Sequence, residues 1–321
     1  MFRDQSAPDE SPERELYRRV RRLALRTMRP VRTHLAGAYA AACHGRGLAF
    51  RELRHYEPGD EVRRIDWRTL ARFGVPFVKE FVEERDLRVL LAMDVSASMD
   101  FRTARRTKRW TATEAAAALA LSAADRGDRV GGLVFPGTAR DLTLIRPARG
   151  MRHALRVLRQ ALGERSGAGA TDVRGPLRAL ERLRRGAVVF LLSDMLFEPP
   201  LWDREVQRLL ARVAGRHEVV AAVVRDEAEC ASGRMWSGAC GEIFECRDPE
   251  TGRAVRLAAG DRGLRAALAD RDRRIAECIR RAGVAQVSLS TALDPVPALR
   301  RHFRSVELAR RHPSSRALHA R

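Results

Sequence analysis

A carboxylate and two hydroxyls leave the apolar run Val89-Leu90-Leu91-Ala92-Met93 at alternate positions, as Asp94, Ser96 and Ser98. Every donor in that trio is oxygen, with no His or Cys among them. Magnesium and manganese prefer such hard ligands, whereas zinc favours nitrogen or sulfur. A polar turn accounts for the same three residues, because Asp and Ser are common turn formers. Two later segments favour the metal. Gly167-Ala168-Gly169-Ala170-Thr171-Asp172 is a glycine-rich loop that delivers a hydroxyl, and Gly186 to Asp194 is a second apolar run ending in an aspartate. Two strand-end carboxylates held about 4–6 Å apart push one pKa up unless a cation lies between them. The expected ligand set is Asp94, Ser96, Ser98, Thr171 and Asp194, holding Mg2+ or Mn2+.

The elements that must carry these residues follow from periodicity. Apolar runs of five to seven residues suit strands buried on both faces, which belong to parallel sheets covered by helices. Strands are expected near 87–93, 130–135, 141–145, 187–193, 218–224 and 284–289, with helices near 109–125, 150–162, 173–185, 201–214, 263–282 and 296–310. That alternation predicts an α/β class, a doubly wound and mostly parallel sheet of Rossmann-like type flanked by helices. Ligands in such open sheets bind beyond the carboxyl ends of the strands. The expected organisation is a disordered leader at 1–14, an N-terminal region at 15–86, the α/β domain at 87–310 and a basic tail at 311–321.

The five ligand positions, in their order, resemble the metal-ion-dependent adhesion site of a von Willebrand factor type A domain. The resemblance implies that the hydroxyls bind the ion directly, that a carboxylate acts through water, and that one position stays open for an Asp or Glu of a partner. A second resemblance lies upstream. The block Gly45-Arg46-Gly47-Leu48-Ala49-Phe50-Arg51-Glu52-Leu53-Arg54-His55-Tyr56-Glu57-Pro58-Gly59-Asp60 runs on through Arg63, Ile65-Asp66-Trp67, Ala71-Arg72 and Val78-Lys79-Glu80-Phe81 to Glu84. It is similar to the signature of the bacterial domain of unknown function fifty-eight family, whose members carry it just before a type A domain. That resemblance implies a MoxR-type AAA+ ATPase and a client protein as partners, in a co-chaperone role. Within the block, Tyr56 to Asp60 reads as a turn, while residues 62–68 alternate too irregularly to assign. Arg54, Arg63, Asp66, Trp67 and Arg72 form either a docking surface or a set of salt bridges with a Trp anchor.

Enzymatic alternatives lack their parts. No G-x-x-x-x-G-K-[ST] loop is present, no G-x-S-x-G elbow surrounds Ser96 or Ser98, and a haloacid-dehalogenase-like phosphatase needs a carboxylate where Ser96 stands. The expectation is a non-enzymatic binding module. The formal charge of +20 over 321 residues opens a rival reading, a binder of nucleic acid or an anionic membrane surface. Arg102, Arg105, Arg106, Lys108 and Arg109 form one basic group, and Arg300, Arg301, Arg304, Arg310 and Arg311 another. Against it stand 6% aromatics and the lack of a nucleic-acid-binding signature. Only Lys79 and Lys108 are lysines, a skew that looks like coding bias toward arginine. The N-terminus has no apolar signal region, and no apolar run nears the roughly 20 residues that span a bilayer, so a cytoplasmic location is expected. Five cysteines (43, 230, 240, 246 and 278) without a C-x-x-C pair read as reduced thiols, although Cys230, Cys240 and Cys246 share one segment that could bind metal or form a disulfide.

Overall fold

The computed structural model describes residues 47–57, 60–62, 65–84, 87–103, 106–137, 142–164, 170–230, 243–247, 254–258 and 261–311. Contacts divide the chain at Leu87/Arg88 into a small unit, Cys43–Leu87, and a large one from Arg88 onward. The expected leader at 1–14 lies outside the described residues, as does the basic tail beyond Arg311.

In the small unit, β1 (Gly47–His55) pairs antiparallel with β2 (Phe77–Glu84), and α1 (Trp67–Phe73) lies in the connection between them. Asp66 explains where the helix starts: its carboxylate accepts from the Arg68 N–H at 3.1 Å and the Thr69 hydroxyl at 3.2 Å. Gly74 ends it at φ +70, where a side chain would be strained. The unassigned stretch at 62–68 runs into this short helix, none of whose residues is buried. Without an apolar face there is no period to read.

The large unit is built on six strands, β3 (Arg88–Asp94), β4 (Arg129–Phe135), β5 (Thr143–Ala148), β6 (Ala187–Ser193), β7 (Glu218–Arg225) and β10 (Ala285–Ser290). Their order across the sheet is β10-β7-β6-β3-β4-β5, and only β5 runs antiparallel. The fold class is therefore the expected one. β3, β6 and β7 are buried almost throughout, as runs covered on both faces must be. The edge strand β5 alternates in exposure instead. A small hairpin, β8 (Ile243–Arg247) with β9 (Ala254–Ala258), was not expected from sequence.

Among the described residues, six helices accompany the sheet: α2 (Lys108–Asp125), α3 (Met151–Gly163), α4 (Arg174–Arg182), α5 (Arg204–Ala214), α6 (Arg262–Arg281) and α7 (Pro295–Arg311). The Ala-rich α2 is buried from Thr111 to Ala123, so the richest apolar stretch of the chain is an interior helix. α5 begins three residues later than expected because Asp203 caps it, accepting from the N–H groups of Glu205 and Val206. α3 comes so close to β4 that a Cβ on Gly132 would stand 2.6 Å from Val157 Cγ1. Among the described residues, no helix is long and apolar enough to cross a membrane.

From β3 the chain adds β4 and β5 on one side and then returns to place β6 on the other. Beyond the carboxyl ends of the strands flanking such a reversal, here β3 and β6, is where open α/β sheets bind ligands. Asp94 ends one of these strands and Asp194 follows the other.

Candidate metal centre

Register brings the two strand ends level. Met93 pairs with Leu192, so Asp94 stands beside Ser193, and Asp194 is one residue further out. Asp94, Ser96, Ser98, Thr171 and Asp194 are all buried, at 6% exposure or less. Asp94 Oδ1 accepts the Ser96 N–H at 2.9 Å, a tight turn that carries Ser96 and Ser98 over the strand end. Asp94 Oδ2 accepts the Ser193 hydroxyl at 2.7 Å, and Ser193 Oγ in turn accepts the Met195 N–H at 2.9 Å. Met195 takes a left-handed φ of 59, uncommon for a residue with a side chain and frequent at functional turns.

The hydroxyls of Ser96 and Ser98 share a hydrogen bond at 3.1 Å. Thr171 arrives from the loop before α4, its carbonyl accepting the Glu198 N–H at 2.9 Å, and the next residue, Asp172, donates its N–H to the Gly137 carbonyl at 2.8 Å. Thr171 is thereby fastened to the loop that follows Asp194. Of the loop's glycines, Gly167 and Gly169 lie outside the described residues.

Asp94 carries a carboxyl pushed up to about 7, first by burial and then by the charge of Asp194, against the hydrogen bonds of Ser193 and Ser96. One carboxyl of the pair is thus raised, in part by the other, while Asp194 itself departs in the other direction. Burial opposes its ionisation, yet the ammonium of Lys108, the Leu196 N–H and Arg225 hold its pKa below the ordinary value. Lys108 Nζ sits 2.6 Å from Asp194 Oδ2 and 2.6 Å from Glu229 Oε1, and Lys108 is wholly buried. Burial alone would depress the lysine's pKa; the two carboxylates raise it. Arg225 donates to the Asp194 carbonyl and reaches Asp272 on α6 at 3.2 Å.

Sequence reasoning therefore missed Lys108, Ser193, Arg225 and Glu229. One signal was available for Lys108: it is one of two lysines in a chain whose other cations are arginines. The basic group containing it is largely engaged within the fold, although Arg102 is exposed. Lys108 is internal, Arg106 pairs with Glu114 at 3.3 Å and donates to the Leu293 carbonyl, and Arg109 donates to the carbonyls of Ala161 and Glu164. Arg105 lies outside the described residues, while Arg301 and Arg304 are exposed on α7.

The residues of the upstream block divide into two kinds. Arg54 grips Asp60 with two bonds of 2.9 and 2.6 Å, and Asp66 caps α1. Trp67 is 59% exposed, and the exposed Arg72 lies 5.5 Å over the ring of Phe73. Arg63 lies outside the described residues. Further along, Asp226 caps a 3₁₀ turn (Glu227–Glu229) in a reciprocal box with Glu229 and accepts from Thr103 and Thr291, so the Arg225–Glu229 stretch is held internally. Cys230 and Cys278 are free thiols; Cys43 and Cys240 lie outside the described residues, as does the side chain of Cys246.

Donor chemistry at the strand ends suits a hard divalent cation. Two cis ligands of an octahedral magnesium, each at about 2.1 Å, stand about 3.0 Å apart, close to the 3.1 Å between Ser96 Oγ and Ser98 Oγ. No group of three or more His, Cys, Asp or Glu side chains among the described residues is placed to hold a metal, so an ion here depends on hydroxyl oxygens.

Fold and strand-end geometry define a doubly wound α/β protein with buried oxygen-bearing side chains at its switch point. The chain belongs to the family described as "Protein of unknown function DUF58", which it matches over residues 52–277. It is 37% identical over 195 residues to uncharacterized proteins of Mycobacterium bovis and Mycobacterium tuberculosis. That alignment spans 60% of this chain and 59% of those proteins. Among solved structures, an aerotolerance-related membrane protein from Bacteroides fragilis is 14% identical, with a TM-score of 0.39, over 69% of this chain and 98% of that one. A von Willebrand factor type A protein from Catenulispora acidiphila is 17% identical, with a TM-score of 0.34, over 46% and 35% of the respective chains.

Proposed function

We propose that this protein is a non-catalytic, divalent-cation-dependent protein-binding module. Asp94, Ser96, Ser98, Thr171 and Asp194 hold Mg2+ or Mn2+, and the ion offers an open position to an Asp or Glu of a partner. The observation that carries the reading is the burial of these five oxygen-bearing side chains at or near the carboxyl ends of β3 and β6, with the hydrogen-bonded hydroxyls of Ser96 and Ser98 at a separation that neighbouring ligands of one ion would also have. Three of the five are neutral, so the bound ion keeps positive charge with which to attract a carboxylate. Ser193 orients Asp94, and the Leu196 N–H and Lys108 hold the Asp194 carboxylate. The candidate partners are a MoxR-type AAA+ ATPase and its client, with the ATPase supplying the hydrolysis for which this chain has no phosphate-binding loop. The net charge of +20 favours partners with acidic surfaces.

The test has two stages. Calorimetric titration of the full chain with Mn2+ should show one site that Asp94→Ala abolishes. Binding to a purified MoxR-type ATPase should then require Mg2+ and fail in chelator and in Asp94→Ala alike. Binding unaffected by chelation would overturn the metal-bridged reading. Binding to DNA that falls steeply with salt and ignores Asp94→Ala would favour the basic-binder alternative.

A further inference from the structure

We propose that Lys108 is a tethered counter-cation that shares Asp194 with the divalent ion and thereby sets how tightly the ion is held. The proposal rests on the cation-site reading above, and it assigns that site its tuning residue. Lys108 is the first residue of α2 and has no exposed surface. Thr107 fixes its position by capping the helix through the Trp110 N–H at 3.0 Å. From there the side chain runs inward, past the ring of Phe101 at 5.7 Å from Nζ, to two carboxylate oxygens at 2.6 Å each.

This unit charge stands in the same protected interior as the expected ligands. Screening by solvent and salt is weak there, so a second cation beside it is repelled strongly. Asp194 Oδ2 already accepts from the ammonium and Oδ1 accepts the Leu196 N–H at 3.0 Å, so both oxygens of this expected ligand are engaged. An ion entering the site must therefore share that carboxylate or displace Lys108 from it.

Glu229 makes the exchange feasible without stranding a charge. Its Oε1 already holds Lys108, and the Glu229 side chain is 16% exposed against none for Asp194. Its Oε2 accepts the Asp226 N–H at 3.1 Å, and its carbonyl accepts from Arg271 of α6 at 2.8 Å, so Glu229 is anchored independently of Lys108. The ammonium can keep one partner while Asp194 turns to the metal. A compact point charge suits this role; the planar guanidinium of arginine, nearly the sole cation elsewhere in the chain, would not fit the place of a single ion.

A purely structural lysine and a counter-cation predict opposite signs. Were Lys108 only a scaffold, its loss would loosen the site and weaken metal binding. As a competitor, its loss frees Asp194 and tightens binding, by about tenfold or more given charges a few ångströms apart. Mn2+ titration of the full chain, read by electron paramagnetic resonance, separates the two. The proteins are the wild type, Lys108→Met, Asp94→Ala, and the double variant Lys108→Met/Glu229→Gln, which removes one charge of each sign and preserves folding should Lys108→Met alone disrupt it.

At least tenfold tighter Mn2+ binding by a folded Lys108 variant supports the proposal. Equal or weaker binding by folded Lys108 variants, with the wild type binding and Asp94→Ala not, overturns the counter-cation while leaving the metal site standing. Absence of Mn2+ binding in the wild type and in the folded Lys108 variants overturns the site itself and the proposal with it.

Discussion

Substituting Asp94 by Asn should stabilise the protein in chelator. The carboxyl is 1% exposed and its pKa rises from 3.8 to about 7 on folding, chiefly by burial. A raised carboxylate pKa means that the folded state binds the proton more tightly than the unfolded chain. Stability is therefore lost as pH rises from the ordinary value toward about 7, and the full penalty applies above it. Roughly three pKa steps at 1.36 kcal/mol each set a ceiling of about 4 kcal/mol for the penalty of ionised Asp94 at about pH 8.

Asn keeps the shape, accepts the Ser96 N–H in place of Oδ1 and can donate to Ser193 Oγ, so about 2–4 kcal/mol should be recovered. Differential scanning calorimetry with chelator at about pH 8 should show the Tm of the variant raised by roughly 5–10 °C. Near pH 5 the difference should shrink to less than half, because the penalty is then only the cost of protonating a carboxyl that the unfolded chain leaves ionised. Adding Mg2+ should raise the Tm of the wild type and leave the variant unmoved. A variant less stable than the wild type at about pH 8 in chelator would refute the reasoning, since Asp94 would then be a structural turn residue.

Three further perturbations test the surrounding framework. Gly132→Val sets a side chain against Val157 where even a Cβ would be 2.6 Å away, and should lower unfolding free energy by at least about 1–3 kcal/mol in urea titration. Asp226→Ala strips the cap of the 3₁₀ turn and leaves the buried Thr291 hydroxyl and the Thr103 donors without their acceptor. A loss of about 3 kcal/mol is expected by the same measurement. The third concerns His217, which accepts the Ala187 N–H at Nδ1 and donates from Nε2 to the Leu180 carbonyl at 3.1 Å. Burial, with Arg216 and Arg88 nearby, lowers its pKa. The folded state therefore favours the neutral ring, and stability should fall as pH drops below about 6.5. His217→Gln should flatten that part of the pH–Tm profile; an unchanged slope would exclude His217 as its source.

How much of this was legible in the sequence varies with the kind of signal. The central strands and the large helices were readable because burial imposes a period or an unbroken apolar run, and the α/β class followed from their alternation. Asp94, Ser96 and Ser98 were readable as one group because they are adjacent in the chain. Thr171 and Asp194 joined them only through order and resemblance. α1 and the β8–β9 hairpin were illegible, since neither offers a long buried face.

From the sequence alone came the chemistry of the candidate donors: oxygen-bearing side chains at strand ends, without a phosphate loop or nucleophile elbow, in a chain of high positive charge. What it could not determine is charge balance at long range. Whether Asp94 and Asp194 face a metal, each other or a side chain depends on which residues the fold delivers between them. Register and helix placement decided that Ser193 binds Asp94 and that Lys108, 86 positions before Asp194, neutralises it. No local pattern encodes such a contact, because a buried charge is stabilised by whatever partner the tertiary packing brings within a few ångströms.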